Sequence, residues 1–427
     1  MKAFRGEILA VPEDPAVAGA DAIRHFEDGL LVVEDGLVLG SGPYADLARS
    51  FAGAPVERLN GLIVPGFVDA HVHYPQIECI ASHGEQLMQW LERHIFPAEK
   101  AFSDRGHADS VAAFFLDELL RHGTTSALVF ATVHAGSVDA LFEAALQRDM
   151  RIVSGKVLMD LGPEGLRDSV ASGRADTEAL IARWRGRGRL GYAVTPRFVP
   201  TSSAEQLADA GALVAAHPDV LMHTHLSENP GEIEFVAGRF PEALDYLDVY
   251  DRFGLAGPRS VFAHCVHMSD RALARMAEAG SGIAFCPTSN MFLGSGLFDL
   301  ASADRHGVTL GIGTDIGAGT TLSMLHTLGE AYRTCQLRGA SLDPFRALHL
   351  ATAGGARVMG IADRVGGLLA GQEADFIVLD DSATPLLARR CSGASLHDRL
   401  FALQILGDDR AVAATYLRGR RAHARPT

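Results

Sequence analysis

Eight apolar runs recur along this chain, and their number and spacing constrain its fold more than any other feature. They are GLIVPGFVDAHVH, TTSALVFATVH, RIVSGKVLMD, LGYAVTPRFVP, VLMHTHLSE, SVFAHCVH, GIAFCPTS and VTLGIGTD, spread between residues 61 and 315. All are rich in residues that suit a pleated surface buried on both faces. Between them lie stretches with apolar residues at three-to-four spacing, such as SVDALFEAALQRDM, SAEQLADAGALVAAHP and RALARMAEAG, which predict helices. Eight such repeats predict an α/β fold, with parallel strands closed into a (β/α)8 barrel. An open doubly wound sheet is the alternative, and it lacks a point where all the strand ends converge.

The polar residues of these runs gather at their C-terminal ends. His71 and His73 close the first run, His225 and Glu228 the fifth, His264 and His267 the sixth, and Asp315 the eighth. In a barrel that end carries the active site, because the loops that follow the strands converge there. Strand period two puts His71 and His73 on one face, so both rings can reach a single ion on the barrel axis. A lone histidine in a strand is ordinarily a core residue with a hydrogen-bond partner; several together at strand ends beside an aspartate are a candidate site. The five cysteines, Cys79, Cys265, Cys286, Cys335 and Cys391, contain no CxxC pair, so any metal must be held by nitrogen and oxygen.

With 427 residues, 48 % of them hydrophobic, the chain can bury a large core and a smaller second domain. A formal charge of −14 argues against a nucleic-acid-binding face, whose affinity comes from neutralising phosphates. The stretch MKAFRGEILAVPEDP is not apolar enough for a signal peptide, and no run of eighteen apolar residues occurs. The expectation is a soluble, cytoplasmic protein without a membrane partner. Residues 63–365 are assigned to the barrel. Residues 1–62 and 366–427, with GLLVVEDGLVLGSG, GGLLAGQEADFIVLD and AVAATYLRGRRA, read as short strands and turns that form one small β-sandwich from both chain ends.

PGFVDAHVH, HTHLSE, FAHC and GTD resemble, in order and spacing, the metal motifs of the amidohydrolase superfamily. HYPQIECIASHGEQL, TPRF and CPTSN are similar to those of its guanine deaminase family. The resemblance spans nearly the whole chain. It implies a homodimeric aminohydrolase that uses one Zn2+ per chain and a water molecule to convert guanine to xanthine and ammonia. Two-metal members of the superfamily commonly use a carbamylated lysine at the end of the fourth strand, where this chain has Arg197; the only lysine in a barrel strand is Lys156, in the third run. That favours a single ion with His71, His73, His225 and Asp315 as ligands and water in the open position. Iron suits the same donors.

Within that chemistry Glu228, three residues past His225, is the expected proton carrier between water and the ring N3. Asp315 both ligates and accepts a proton destined for the leaving ammonia. His264 is either a further ligand or the group that holds the attacking oxygen, and His223 and His267 are supporting residues. Gln76 and Arg197 supply donors and an acceptor in one plane, and Phe198 or Trp90 covers the ring face. His73, His225, Glu228 and Asp315 complete the expected substrate pocket. Two rivals share parts of this pattern: an aminohydrolase or chlorohydrolase for another heterocycle such as a triazine, and a non-catalytic barrel that serves as an interaction scaffold.

Overall fold

Residues 1–83 and 86–426 are described by a computed structural model, in which the apolar runs form a ring of parallel strands. These are β1 (Phe67–His73), β2 (Thr124–Phe130), β3 (Arg151–Gly155), β4 (Gly191–Pro196), β5 (Leu221–Leu226), β6 (Ser260–His264), β7 (Gly282–Phe285) and β8 (Thr309–Ile312). Each pairs in parallel with the next. The segment past β8 then returns to β1: Asp315 N donates to His71 O at 2.9 Å, and His73 N to Ile316 O at 2.9 Å. The ring closes, so the open-sheet alternative falls.

Strands in such a ring are covered on both faces, which is why they read as continuous apolar runs rather than as alternating ones. β1, β2, β6 and β7 are buried at every residue. One cluster takes Ala70, Leu128, Val153, Ala193, Leu221, Ala263 and Ala284 from seven successive strands, together with Ala356, Val358 and Met359. The Val358 side chain packs within 3.1 Å of where a Cβ on Gly282 would stand, at the start of β7. The stretch around Ala356 therefore plugs the N-terminal end of the ring and leaves the C-terminal end for the loops. The larger core lies between the strands and the outer helices and contains Phe115, Phe142, Leu207 and Leu328. Among the described residues no helix is long and apolar enough to cross a membrane.

Both chain ends contribute to a second, seven-stranded mixed sheet. Its order is Arg420–Ala424, Val412–Leu417, Phe376–Leu379, Val56–Pro65, Lys2–Ala10, Arg24–Glu34 and Leu37–Pro43. The sheet folds over on itself, because Val38 N donates to Gln372 O at 2.8 Å and ties the far edge back beside Phe376–Leu379. Phe4, Phe376 and Tyr416 meet inside the fold with ring centroids 4.4 to 5.3 Å apart.

Two expectations need correction. GLIVPGFVDAHVH is not one strand: its first half ends Val56–Pro65 in the mixed sheet, and the barrel strand starts at Phe67. Gly66 makes the crossing, since a Cβ there would stand 2.2 Å from Thr125 Oγ1. Residues 63–65, read with the barrel, therefore pair in the mixed sheet. The C-terminal segment is also not all strand and turn, since helices Pro385–Cys391 and Leu396–Leu406 lie within it. The second packs Leu400 and Leu403 on the barrel core, and Gln404 Nε2 donates to Pro344 O at 2.8 Å.

A buried charge cluster fastens the mixed sheet to the barrel. Arg189, just before β4, donates from Nη1 to Asp375 Oδ1 at 3.0 Å, and its Nε lies 3.1 Å from Glu373 Oε2. Arg151, the first residue of β3, donates to the same Glu373 oxygen at 2.9 Å. Removing one partner of a buried pair strands the other charge away from water. Asp375→Ala is therefore expected to lower unfolding stability by about 3–5 kcal/mol. Asp109→Ala, which breaks an exposed pair with Arg105, is expected to cost less than about 1 kcal/mol in the same urea titration. Equal losses would contradict this account.

Candidate active site

Strand ends alone do not aim side chains at one point; the turns after them do. His264 closes β6 with φ 71°, Ser227 follows β5 with φ 50°, and Asp315 follows β8 with φ 51°. Left-handed backbone at non-glycine residues is costly and is kept where the surroundings impose it. Here it sets His264 and Asp315 beside the two histidines of β1 and the two of β5. His71 Nε2 and His73 Nε2 stand 3.1 and 3.4 Å from Asp315 Oδ1. His73 Nε2 is 3.2 Å from both His71 Nε2 and His225 Nε2.

The outward nitrogens define the chemistry of the inward ones. His225 Nδ1 donates to Arg197 O at 2.7 Å, and His264 Nδ1 donates to Asn290 Oδ1 at 2.9 Å, so both present an Nε2 lone pair inward. His71 Nδ1 is 2.7 Å from His223 Nε2. Burial, reinforced for His73 and His225 by neighbouring histidines and Arg197, keeps both rings well below the usual imidazole pKa and therefore neutral. Lone pairs that face one another at these separations repel unless a cation or a shared proton lies between them. The donor set fits a divalent metal with three imidazole ligands and one carboxylate. Donor atoms of His71, His73 and Asp315 lie within 4.8 Å of one another, and so do donor atoms of His71, His225 and His264, so His264 also fits.

Glu228 stands beside this cluster, with Oε2 3.5 Å from His264 Nε2 and Oε1 accepting from Ser295 Oγ at 3.2 Å. Without a bound cation, burial together with the charge of Asp315 pushes its carboxyl up to about 8; a cation held beside it would draw the carboxyl down towards the ionised form that accepts a proton. Above it opens a cavity lined by His73, Gln76, Trp90, Arg197, Phe198, His225, Glu228, His264 and Asp315, with Leu87, Leu91, Leu293 and Ala318 as its apolar wall. The Trp90 indole N–H is buried with no hydrogen-bond partner among the described residues, a donor left for something bound. Gln76 Oε1 accepts from Gly317 N at 3.1 Å.

Every residue singled out from the strand ends and motifs except His71, His223 and His267 lines this cavity. His71 lies in the metal-sized cluster beneath it, with His223 behind. His267 turns away and donates to Ser295 O at 2.7 Å. Lys156 is committed to Asp168 and plays no part among the donors. Gly84 and Glu85, within HYPQIECIASHGEQL, lie outside the described residues. Sequence reasoning gave no role to Glu99, Asn290, Ser295 or Glu232. Asn290 ends the quoted CPTSN motif, and Glu232 closes the helix-capping pattern Asn229-Pro-Gly-Glu232, so both were within reach of sequence reading; Glu99 and Ser295 carry no local signal.

A model described as Amidohydrolase family matches residues 62–422. The Escherichia coli protein named guanine deaminase is 48 % identical over 100 % of this chain and 98 % of its own length. Its solved structure superposes with a TM-score of 0.97 and covers 100 % of both chains. A guanine deaminase from C. acetobutylicum, solved with guanine bound in the active site, is 28 % identical, with a TM-score of 0.91 over 98 % of this chain and 99 % of that one. An adenosine deaminase from Xanthomonas campestris, solved with bound zinc, is 25 % identical, with a TM-score of 0.85 over 98 % of this chain and 92 % of that one.

Glu232 yields a prediction of pH dependence. Its Oε2 accepts from the backbone N–H of Glu228 and Asn229 at 3.2 and 3.3 Å, and burial, with the charge of Glu228, pushes its carboxyl from an ordinary 4.5 to about 8. A folded-state pKa above the unfolded one means that the native protein holds the proton more tightly. Its stabilising contribution is complete below pH 4.5 and is lost as pH rises through about 8. Metal-free Glu232→Gln should therefore show a flatter fall of melting temperature between pH 5 and pH 8 than the metal-free parent, by roughly several degrees. Parallel curves from differential scanning calorimetry would remove Glu232 from the linkage.

Proposed function

The chain belongs to the amidohydrolase family, and from that premise we propose that it hydrolyses guanine to xanthine and ammonia, with one zinc ion per chain held by His71, His73, His225 and Asp315. One observation carries this reading: the inward-facing nitrogens and carboxylate gather at the floor of a cavity whose wall offers the planar donors of Arg197 and the Gln76 amide. The full-length likeness to the Escherichia coli guanine deaminase and the guanine-bound and zinc-bound relatives support it. Zinc suits three imidazoles and a carboxylate with one position left for water, and iron accepts the same donors.

When bound, the ion supplies a Lewis acid that lowers the pKa of a water molecule towards neutrality. The protein's own groups do the rest. His264, whose Nε2 faces Glu228 at 3.5 Å and Asp315 at 3.8 Å, accepts a hydrogen bond from the attacking water and holds it between the two carboxyls. Glu228 takes one proton from this water and delivers it to ring N3 as the oxygen bonds to C2. Asp315 takes the proton of the new hydroxyl and passes it to the exocyclic amine. The C2–N bond then breaks, ammonia leaves, and the C2 oxygen becomes the carbonyl of xanthine. Arg197 offers its fork of donors to O6, while Phe198 and Trp90 shut bulk water away from the ring.

Incubation of purified protein with guanine, beside adenine, cytosine, ammeline and 8-oxoguanine, tests the substrate: guanine should release ammonia fastest and yield xanthine. A preference for another ring would keep the metal-dependent hydrolase and discard guanine. Elemental analysis should find about one zinc or iron per chain, and His73→Ala should lose both metal and turnover. Two tightly bound ions would overturn the single-ion reading, and none would favour a scaffold.

Glu228→Gln keeps the shape and cannot shuttle a proton. Its kcat should fall by roughly 10²-fold or more with metal content unchanged. Loss of the metal in this variant would make Glu228 a ligand instead.

A further inference from the structure

The two polar groups on the cavity wall share one carboxylate behind them, and we infer that Glu99 is the positioning residue that sets what the cavity reads on its substrate. The inference rests on the guanine reading above. Glu99 comes from the short helix Phe96–Lys100 and is 1 % exposed. Its Oε2 accepts from Arg197 Nη1 at 2.7 Å and its Oε1 from Gln76 Nε2 at 3.0 Å. Glu99 itself does not line the cavity, whereas Arg197 and Gln76 both do.

This arrangement removes two freedoms. The Gln76 amide is held by Gly317 N, which donates to its oxygen, and by Glu99, which accepts from its nitrogen, and that nitrogen also lies 3.1 Å from His73 Nδ1; turning the amide over would set its oxygen against the Glu99 carboxylate and its N–H against the Gly317 N–H. The Arg197 guanidinium cannot swing, because one arm is tied to Glu99 while its carbon lies 5.4 Å from the Phe96 ring centroid. The remaining Arg197 donors and the second lone pair of Gln76 Oε1 thus keep a fixed spacing. A ring with a carbonyl beside an N–H, the O6 and N1 edge of guanine, matches an adjacent donor and acceptor.

A glutamine at position 99 reproduces the shape and only half of the function. Its oxygen can accept from one partner, and its NH2 then faces a donor on the other. The probes are hypoxanthine, which keeps the carbonyl edge, and unsubstituted purine, which lacks it; neither carries the amine that is lost. Binding is measured by calorimetry on the metal-replete full chain.

The parent should bind hypoxanthine more tightly than purine. Glu99→Gln should weaken hypoxanthine by about 10- to 100-fold and purine by less than about threefold, with metal content unchanged. If Glu99 acts through Arg197, adding Glu99→Gln to Arg197→Met should cost less than about threefold more. Glu99→Asp, whose shorter carboxylate cannot span both partners, should give an intermediate ratio and stands in if the glutamine variant does not fold. A hypoxanthine-to-purine ratio that is the same in parent and variants overturns the inference, as does an equal loss on both ligands. A parent enzyme that leaves guanine untouched fails the underlying reading instead, and the ammonia assay reports that separately.

Discussion

The hydrogen bond from Asp315 N to His71 O closes the strand ring and, in the same stroke, joins two of the four proposed metal ligands. The rest of the active-site end depends on that seam. Beneath it Asp69, fully buried, accepts from Thr314 N at 3.1 Å and His71 N at 3.2 Å and takes the Thr314 hydroxyl as well. Burial drives the Asp69 carboxyl up to about 7. It is tolerated there because three donors from His71 and Thr314 meet it. The first and last strands of the barrel are thereby locked in register where one residue of slip would turn His71 and His73 to the other face.

Around the seam the molecule concentrates what a stable fold otherwise avoids: like donors packed together, carboxyls under apolar cover and left-handed turns at non-glycine residues. Each is held by a second layer of contacts. His225 leans on the Arg197 carbonyl, His264 on Asn290, Glu228 on Ser295, and Arg197 on Glu99. Such outer partners fix the tautomer and direction of the inner groups. The stiffness comes from elsewhere in the fold: the plug at the far end of the ring and the buried Arg189, Asp375 and Glu373 cluster that clamps the mixed sheet to the barrel.

The barrel was legible because eight strands buried on both faces write eight apolar runs, and because helices between them write a different period. The convergence of histidines was legible for a related reason, since strand ends in a closed ring share one face. The break at Gly66 was not, because both halves of GLIVPGFVDAHVH are equally apolar and only the Thr125 side chain, brought in by β2, explains the glycine. Glu99 was invisible: Glu92, seven residues earlier and on the same stretch of helical turns, looks no different in sequence and ends up exposed. Nothing local distinguishes a glutamate that will face a buried arginine from one that will face water.

The sequence by itself determined the class of fold, the end of the barrel that carries chemistry, and the kinds of donor available there, because periodicity and residue type are local properties of the chain. Only the tertiary structure decided where the first strand changes sheets, which way His267 turns, and which carboxylate holds Arg197 and Gln76 in place. Those choices depend on partners distant in sequence, from 23 and 98 residues for Glu99 with Gln76 and Arg197 to the pairing of Pro65 with Phe376, and contacts of that reach exist only once the chain has folded.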